Sequence, residues 1–115
     1  MTDFFEMTTI YKICPASLWR EAERSGVFGG SDVDRSDGFI HFSTGEQVAE
    51  TARKHFAGQS ELLLVHVDAT RLGGRLKWEP SRGGALFPHL YGDLALSAVI
   101  RVEPLPNLAD LDEFC

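Results

Sequence analysis

The chain has little cysteine, no long hydrophobic run and no cluster of positive charge, and each shortage removes a class of function. Cys14 and Cys115 are the only cysteines among its 115 residues. They form no Cys-x-x-Cys pair, so a zinc site built from thiolates is excluded, and a reducing compartment is the simplest expectation. No apolar run approaches the roughly 20 residues that span a bilayer, and Met1 to Thr9 lack the basic start and apolar stretch of a signal peptide. A cytoplasmic protein with no membrane partner is expected. The 17 acidic residues against 11 basic ones leave a net charge of −6. With no Lys/Arg cluster to offset it, that charge repels a polyanion and makes nucleic acid an unfavoured partner. No two histidines stand at the spacing of a local metal-ligand motif, so no metal is expected.

What is present is ordinary in bulk and pointed in detail. Apolar residues make up 43% of the chain and charged residues 24%, the balance of an average globular domain. The length suits a single core. That domain is expected over residues 9–106, with residues 1–8 and 107–115 loosely ordered.

The densest signal is Asp37-Gly38-Phe39-Ile40-His41-Phe42-Ser43-Thr44. Asp-Gly is a turn pair, and the apolar run behind it is broken by one histidine, which predicts a short strand. Alternation places Phe39, His41 and Ser43 on one face and Ile40, Phe42 and Thr44 on the other. An imidazole and a hydroxyl then share a face. Ser43 or Thr44 is expected to cap a helix over residues 45–57, where Val48, Ala49, Ala52 and Phe56 follow helical spacing. The amide groups at its start would favour an anion beside His41 and Ser43.

Elsewhere, Ile10 to Ile13 reads as a strand with Lys12 as its one charged member, and residues 15–25 as an amphipathic helix stopped by Gly26. Residues 27–35 carry no period and are expected to form a loop, long enough to act as a flap. Leu62 to Asp68 is nearly continuous in apolar character, as in a central strand covered on both faces. His66 within it is expected near the surface. Arg75 to Glu79 resumes an extended pattern that Pro80 ends, Leu86 to Gly92 reads as a structured loop holding aromatic and imidazole groups, and Ala98 to Val102 as a last strand. The order predicts an α+β domain, two early helices packed on a mostly antiparallel sheet.

The blocks Gly38-Phe39-Ile40-His41-Phe42-Ser43-Thr44 and Phe87-Pro88-His89-Leu90-Tyr91-Gly92, with Leu76-Lys77-Trp78-Glu79 between them, resemble the bacterial domain-of-unknown-function family 952. By pattern, that family is similar to a reduced ADP-ribosyltransferase, in particular to the NAD-using RNA 2'-phosphotransferases. Those enzymes carry a Tyr-His pair on the first strand, a His-Leu-Ser strand before a helix and an apolar strand ending in Asp-Ala. Tyr11-Lys12, His41-Phe42-Ser43 and Val67-Asp68-Ala69 stand in the same order here. The resemblance implies NAD or a related nucleotide as ligand and an ADP-ribosyltransferase-like sheet. Lys12 departs from it, because lysine cannot accept a hydrogen bond from ribose as a neutral imidazole can. That favours an altered substrate or a lost activity.

The expected site is therefore one cleft lined by His41, Ser43, Glu79, His89 and Tyr91. His41, Glu79 and His89 are the candidates for acid–base chemistry, and Lys12, Ser43, Thr44 and Tyr91 for holding the ligand. Each has a structural alternative. His41 and His89 can be satisfied packing residues, Glu79 a solvated strand edge, and the domain a non-catalytic ligand-binding or interaction module. Cys14, before the helix-starting Pro15, is a weaker candidate nucleophile.

Overall fold

Alternation along the first strand sets the architecture. In the computed structural model, which describes residues 8–106, the first strand β1 (Thr9–Pro15) lies antiparallel to β4 (Leu62–Asp68), and β4 to β8 (Val99–Pro104). Ile10 and Cys14 face one side of this sheet with Val65 and Val67, while Ile13 faces the other with Leu62 and Leu64. The helix α1 (Ala16–Ser25) covers the first side through Trp19 and Ala22. The helix α3 (Val48–His55) covers the second through Val48, Ala49 and Ala52. The central strand β4 is thus buried on both faces, as its apolar run predicts.

A second antiparallel sheet has the order β3 (Ile40–His41), β6 (Leu86–Leu90), β5 (Leu76–Pro80). It joins the first where Tyr11 and Ser43 exchange backbone hydrogen bonds of 2.8 and 2.9 Å. A two-stranded ribbon of β2 (Val27–Phe28) and β7 (Leu94–Ala95) places Phe28 and Leu94 in the core against Trp19. The α+β class and the antiparallel sheets agree with expectation. The expected end segments lie largely outside the described residues.

Several local expectations fail for identifiable reasons. The stretch after Gly26 is not a loop but contains β2 and a short helix α2 (Asp32–Asp37). Ser31 caps that helix, its hydroxyl accepting from the Asp34 amide at 3.3 Å while the Asp34 carboxylate accepts from the Ser31 amide at 2.9 Å. Such reciprocal capping needs only the spacing Ser-x-x-Asp, which a search for hydrophobic period passes over. Asp37-Gly38 is the end of α2, with Gly38 left-handed at φ 89° and its amide on the Asp34 carbonyl at 2.9 Å. Ser31→Ala is expected to cost about 1 kcal/mol, the usual size of a lost N-cap, read from the urea midpoint.

The helix expected over residues 45–57 is shorter, Val48–His55, and neither Ser43 nor Thr44 caps it through its hydroxyl. The Ser43 hydroxyl bonds the Thr51 hydroxyl at 2.8 Å, and the Thr44 amide donates instead to the Gln47 side chain at 3.0 Å. The Ser43, Gln47 and Val48 amides go to backbone carbonyls of Tyr11 and Thr44. These groups are therefore not available to an anion. Leu86 to Leu90, expected as a loop, is the middle strand of the second sheet. Pro88 is tolerated because β3 stops opposite His89 and the Pro88 carbonyl still accepts from Phe42 at 3.0 Å. His66 is buried rather than near the surface. Its Nε2 meets Glu103 at 2.5 Å and its ring packs edge-on against Tyr11, partners distant in sequence.

Candidate functional site

The site is assembled around a residue with no obvious sequence signal. Asp34 is 2% exposed, and its carboxylate is surrounded by donors: Lys12 Nζ at 2.9 and 3.0 Å, the Ser31 amide at 2.9 Å, the His41 amide at 3.1 Å and His41 Nδ1 at 2.6 Å. Burial by itself pushes this carboxyl up. The hydrogen bond from His41, the Lys12 charge and the Ser31 amide outweigh that and hold it well below the usual carboxylate range. The lone charge of strand β1 thus finds its counter-ion on α2, as a buried charge must. Gly30 makes the close approach possible, since a Cβ there would stand 2.8 Å from the Asp34 Cβ and its φ is +102°.

His41 is consequently gripped at both ends. Nδ1 faces Asp34, and Nε2 lies 2.9 Å from the half-exposed carboxylate of Asp37. The ring can donate to both only when both nitrogens carry protons. Directly across the β3–β6 ladder is His89, its ring 5.5 Å from that of His41, nearly edge to face, and stacked on Phe39 at 4.1 Å. His89 Nδ1 bonds Glu79 at 2.8 Å, and the Tyr91 hydroxyl donates to the same Glu79 oxygen at 2.8 Å. Among the described residues, His89 Nε2 has no hydrogen-bond partner. The His89 bond, then the Tyr91 bond, lowers the Glu79 carboxyl, and Glu79 in turn raises the Tyr91 phenol. Tyr91→Phe should therefore let Glu79 titrate higher than in the wild type, and His89→Ala higher still. Carboxyl NMR titration reads this, and an unmoved Glu79 in both variants would show that the network does not form in solution.

A cleft of about 650 Å³ opens on these groups. Lys12, His41, Ser43 and His89 line it, whereas Glu79 and Tyr91 stand behind His89 rather than in the lining, and Thr44 is outside it. The first four expected residues are thus brought together, and two more are joined to them through one hydrogen-bond chain. The segment from Gly30 to Asp37 forms one wall, in place of a structureless flap. Asp34 was missed by sequence reasoning, although the Ser31-x-x-Asp34 spacing carried the signal for its helix; Thr51, the partner of Ser43, carried none. Cys14 is fully buried and its thiol is pushed up to about 11, chiefly by burial, which leaves it without thiolate character. Among the described residues no group of three or more His, Cys, Asp and Glu side chains is arranged to hold a metal, and no helix is long and apolar enough to cross a membrane.

Comparison with known proteins covers most of the chain. Residues 13–102 match the family model described as Protein of unknown function (DUF952). The crystal structure of protein CC0527 from Caulobacter crescentus is 55% identical, with a TM-score of 0.84 over 86% of this chain and 87% of that one. The solution NMR structure of CC0527 is 52% identical, with a TM-score of 0.80 over 90% of this chain and 96% of that one. No curated protein matches. A family model matching residues 13–102 and a solved relative 55% identical over 86% of the chain lead to one conclusion: the chain belongs to the family Protein of unknown function (DUF952).

Proposed function

We propose that the cleft binds NAD or a related nucleotide and that His41 and His89 handle protons on it, as in a reduced relative of the ADP-ribosyltransferases. The observation that supports this is the pair itself, two imidazoles 5.5 Å apart with each Nδ1 on a carboxylate. A carboxylate at Nδ1 selects the tautomer and aims Nε2 outward, the arrangement by which histidine serves as base or acid. His89 Nε2 is the nitrogen placed to take a proton from a ligand hydroxyl or a water. Glu79 and Tyr91 act as positioning residues for it, and Lys12 does the same for His41 by anchoring Asp34.

The wall chemistry is consistent with a nucleoside. Hydroxyl and amide groups of Ser43, Ser81 and Gln59 stand beside the apolar faces of Ile13, Leu18 and Phe56, the mixture that suits a ribose and a flat base. Lys12 has a different role from the one its strand position suggests, since Asp34 already neutralises its charge.

NMR titration with NAD, ADP-ribose and AMP tests the reading. Saturable shifts at the amides of Tyr11, His41 and His89, with nicotinamide appearing in the NAD sample, are expected. Flat titrations at millimolar ligand would end the nucleotide reading. One observation favours a non-catalytic binding domain as second reading: Asp37 already occupies His41 Nε2. Saturable binding of NAD without any product would select it.

A further inference from the structure

We propose that Asp37 is an internal stand-in for a ligand oxyanion, and that a phosphate or carboxylate group of the ligand takes its place on His41 Nε2. This rests on the cleft being a ligand site. The Asp37 carboxylate lies on the cleft wall, 2.9 Å from Nε2, and is 48% exposed. Its partner His41 is anchored from behind by Asp34, which is 2% exposed and itself held by Lys12. One end of the imidazole is thus fixed, while the other is met by a side chain that loses little on turning into water. Asp37 also sits where its backbone leaves room for that turn. It is the last residue of the six-residue helix α2, beside the left-handed Gly38, with open space around the Gly38 Cα.

The chemistry of the exchange is conservative. A carboxylate oxygen and a phosphate oxygen make the same charge-assisted bond to an N–H of imidazole, so an incoming anion replaces a bond of the same kind. Arg35 lines the same cleft from the same helix; its amide donates to the Ser31 carbonyl at 2.9 Å, and no hydrogen bond or ion pair ties its guanidinium to another described residue. It supplies a cation for the incoming group that Lys12, spent on Asp34, cannot. The affinity of the anion is reduced by the fraction of molecules in which Asp37 holds the site. Removing Asp37 removes that reduction.

The test compares the wild type with Asp37→Asn, Asp37→Ala and, as a control for charge alone, Asp32→Asn, another acidic residue of α2 on the cleft wall. AMP, inorganic phosphate and adenosine are the probes, read by NMR titration, with the ¹⁵N signal of His41 Nε2 followed in the ligand-free proteins. In both Asp37 variants the Nε2 signal should move, and AMP and phosphate should bind about tenfold more tightly, the size of one hydrogen bond to a charged group. Adenosine should gain nothing, and Asp32→Asn should change the anions by no more than about twofold, as a screened charge does. Equal gains in Asp32→Asn and Asp37→Asn would reduce the effect to net charge and overturn the stand-in. An unmoved Nε2 signal, or unchanged anion affinity beside intact wild-type binding, would overturn it while leaving the nucleotide reading in place. If AMP, phosphate and adenosine all fail to bind the wild type and every variant, the stand-in falls together with the reading on which it rests.

Discussion

Asp34→Ala is expected to lower stability by about 3–5 kcal/mol, the cost of removing one partner from a buried ion pair. Lys12 and Asp34 are 7% and 2% exposed, so the substitution strands an ammonium group where water reaches it poorly. It also takes the acceptor from the Ser31 amide and from both donors of His41, and with it half of the capping box of α2. A second substitution separates these contributions. In Lys12→Met no charge remains to be stranded, so adding Asp34→Ala to that background should cost less than Asp34→Ala alone by more than about 1 kcal/mol, the coupling expected of residues in contact. Urea unfolding of the four proteins measures it. Additive losses would mean that the ammonium finds water or another partner, and that the pair is not closed.

The same carboxylate makes the protein sensitive to acid in a defined window. Its folded pKa lies below the value of about 3.9 expected for an unfolded aspartate. Its contribution is therefore complete above that pH and is lost as the pH falls from there through the folded pKa. Asp34→Asn should flatten the acid limb of a stability profile below about pH 4. An unchanged limb would place the acid lability elsewhere.

His89→Ala is expected to lower the release of nicotinamide from NAD by a factor of about 10²–10⁴, the usual contribution of a positioned acid or base. The expectation rests on the proposed function and on His89 Nε2, the one ring nitrogen of the pair without a hydrogen-bond partner among the described residues. His89 is 5% exposed, stacks on Phe39 and is packed in the middle strand of its sheet, so loss of rate must be separated from loss of fold. Glu79→Gln does this, because Glu79 touches only the far nitrogen and stands outside the cleft lining. A glutamine can still accept from Nδ1 but no longer carries the charge that supports a protonated ring. It should lower kcat by less than His89→Ala and leave KM nearly unchanged. Equal kcat in the wild type and His89→Ala, with the fold intact by NMR, would remove His89 from the chemistry.

The short-range facts about this chain are legible in its sequence because they depend on near neighbours. Strand β1 with its face alternation, helix α1 with its glycine stop, the doubly covered strand β4 and the antiparallel α+β class all follow from periods of two and 3.6 residues. The blocks around His41 and His89 could also be picked out, since imidazoles inside apolar runs are unusual. The partners those histidines meet could not. His41 and His89 become neighbours only because β3 pairs with β6, and Asp34 reaches His41 only because a six-residue helix, too short to show a hydrophobic period, turns its one buried carboxylate inward. The assignment of partners is likewise tertiary. Lys12 to Asp34 and His66 to Glu103 join residues 22 and 37 positions apart. In a chain with 17 acidic residues, a buried cation has many possible counter-ions, and the selection is made by which carboxylate the packing carries out of water, an outcome that depends on all the elements at once.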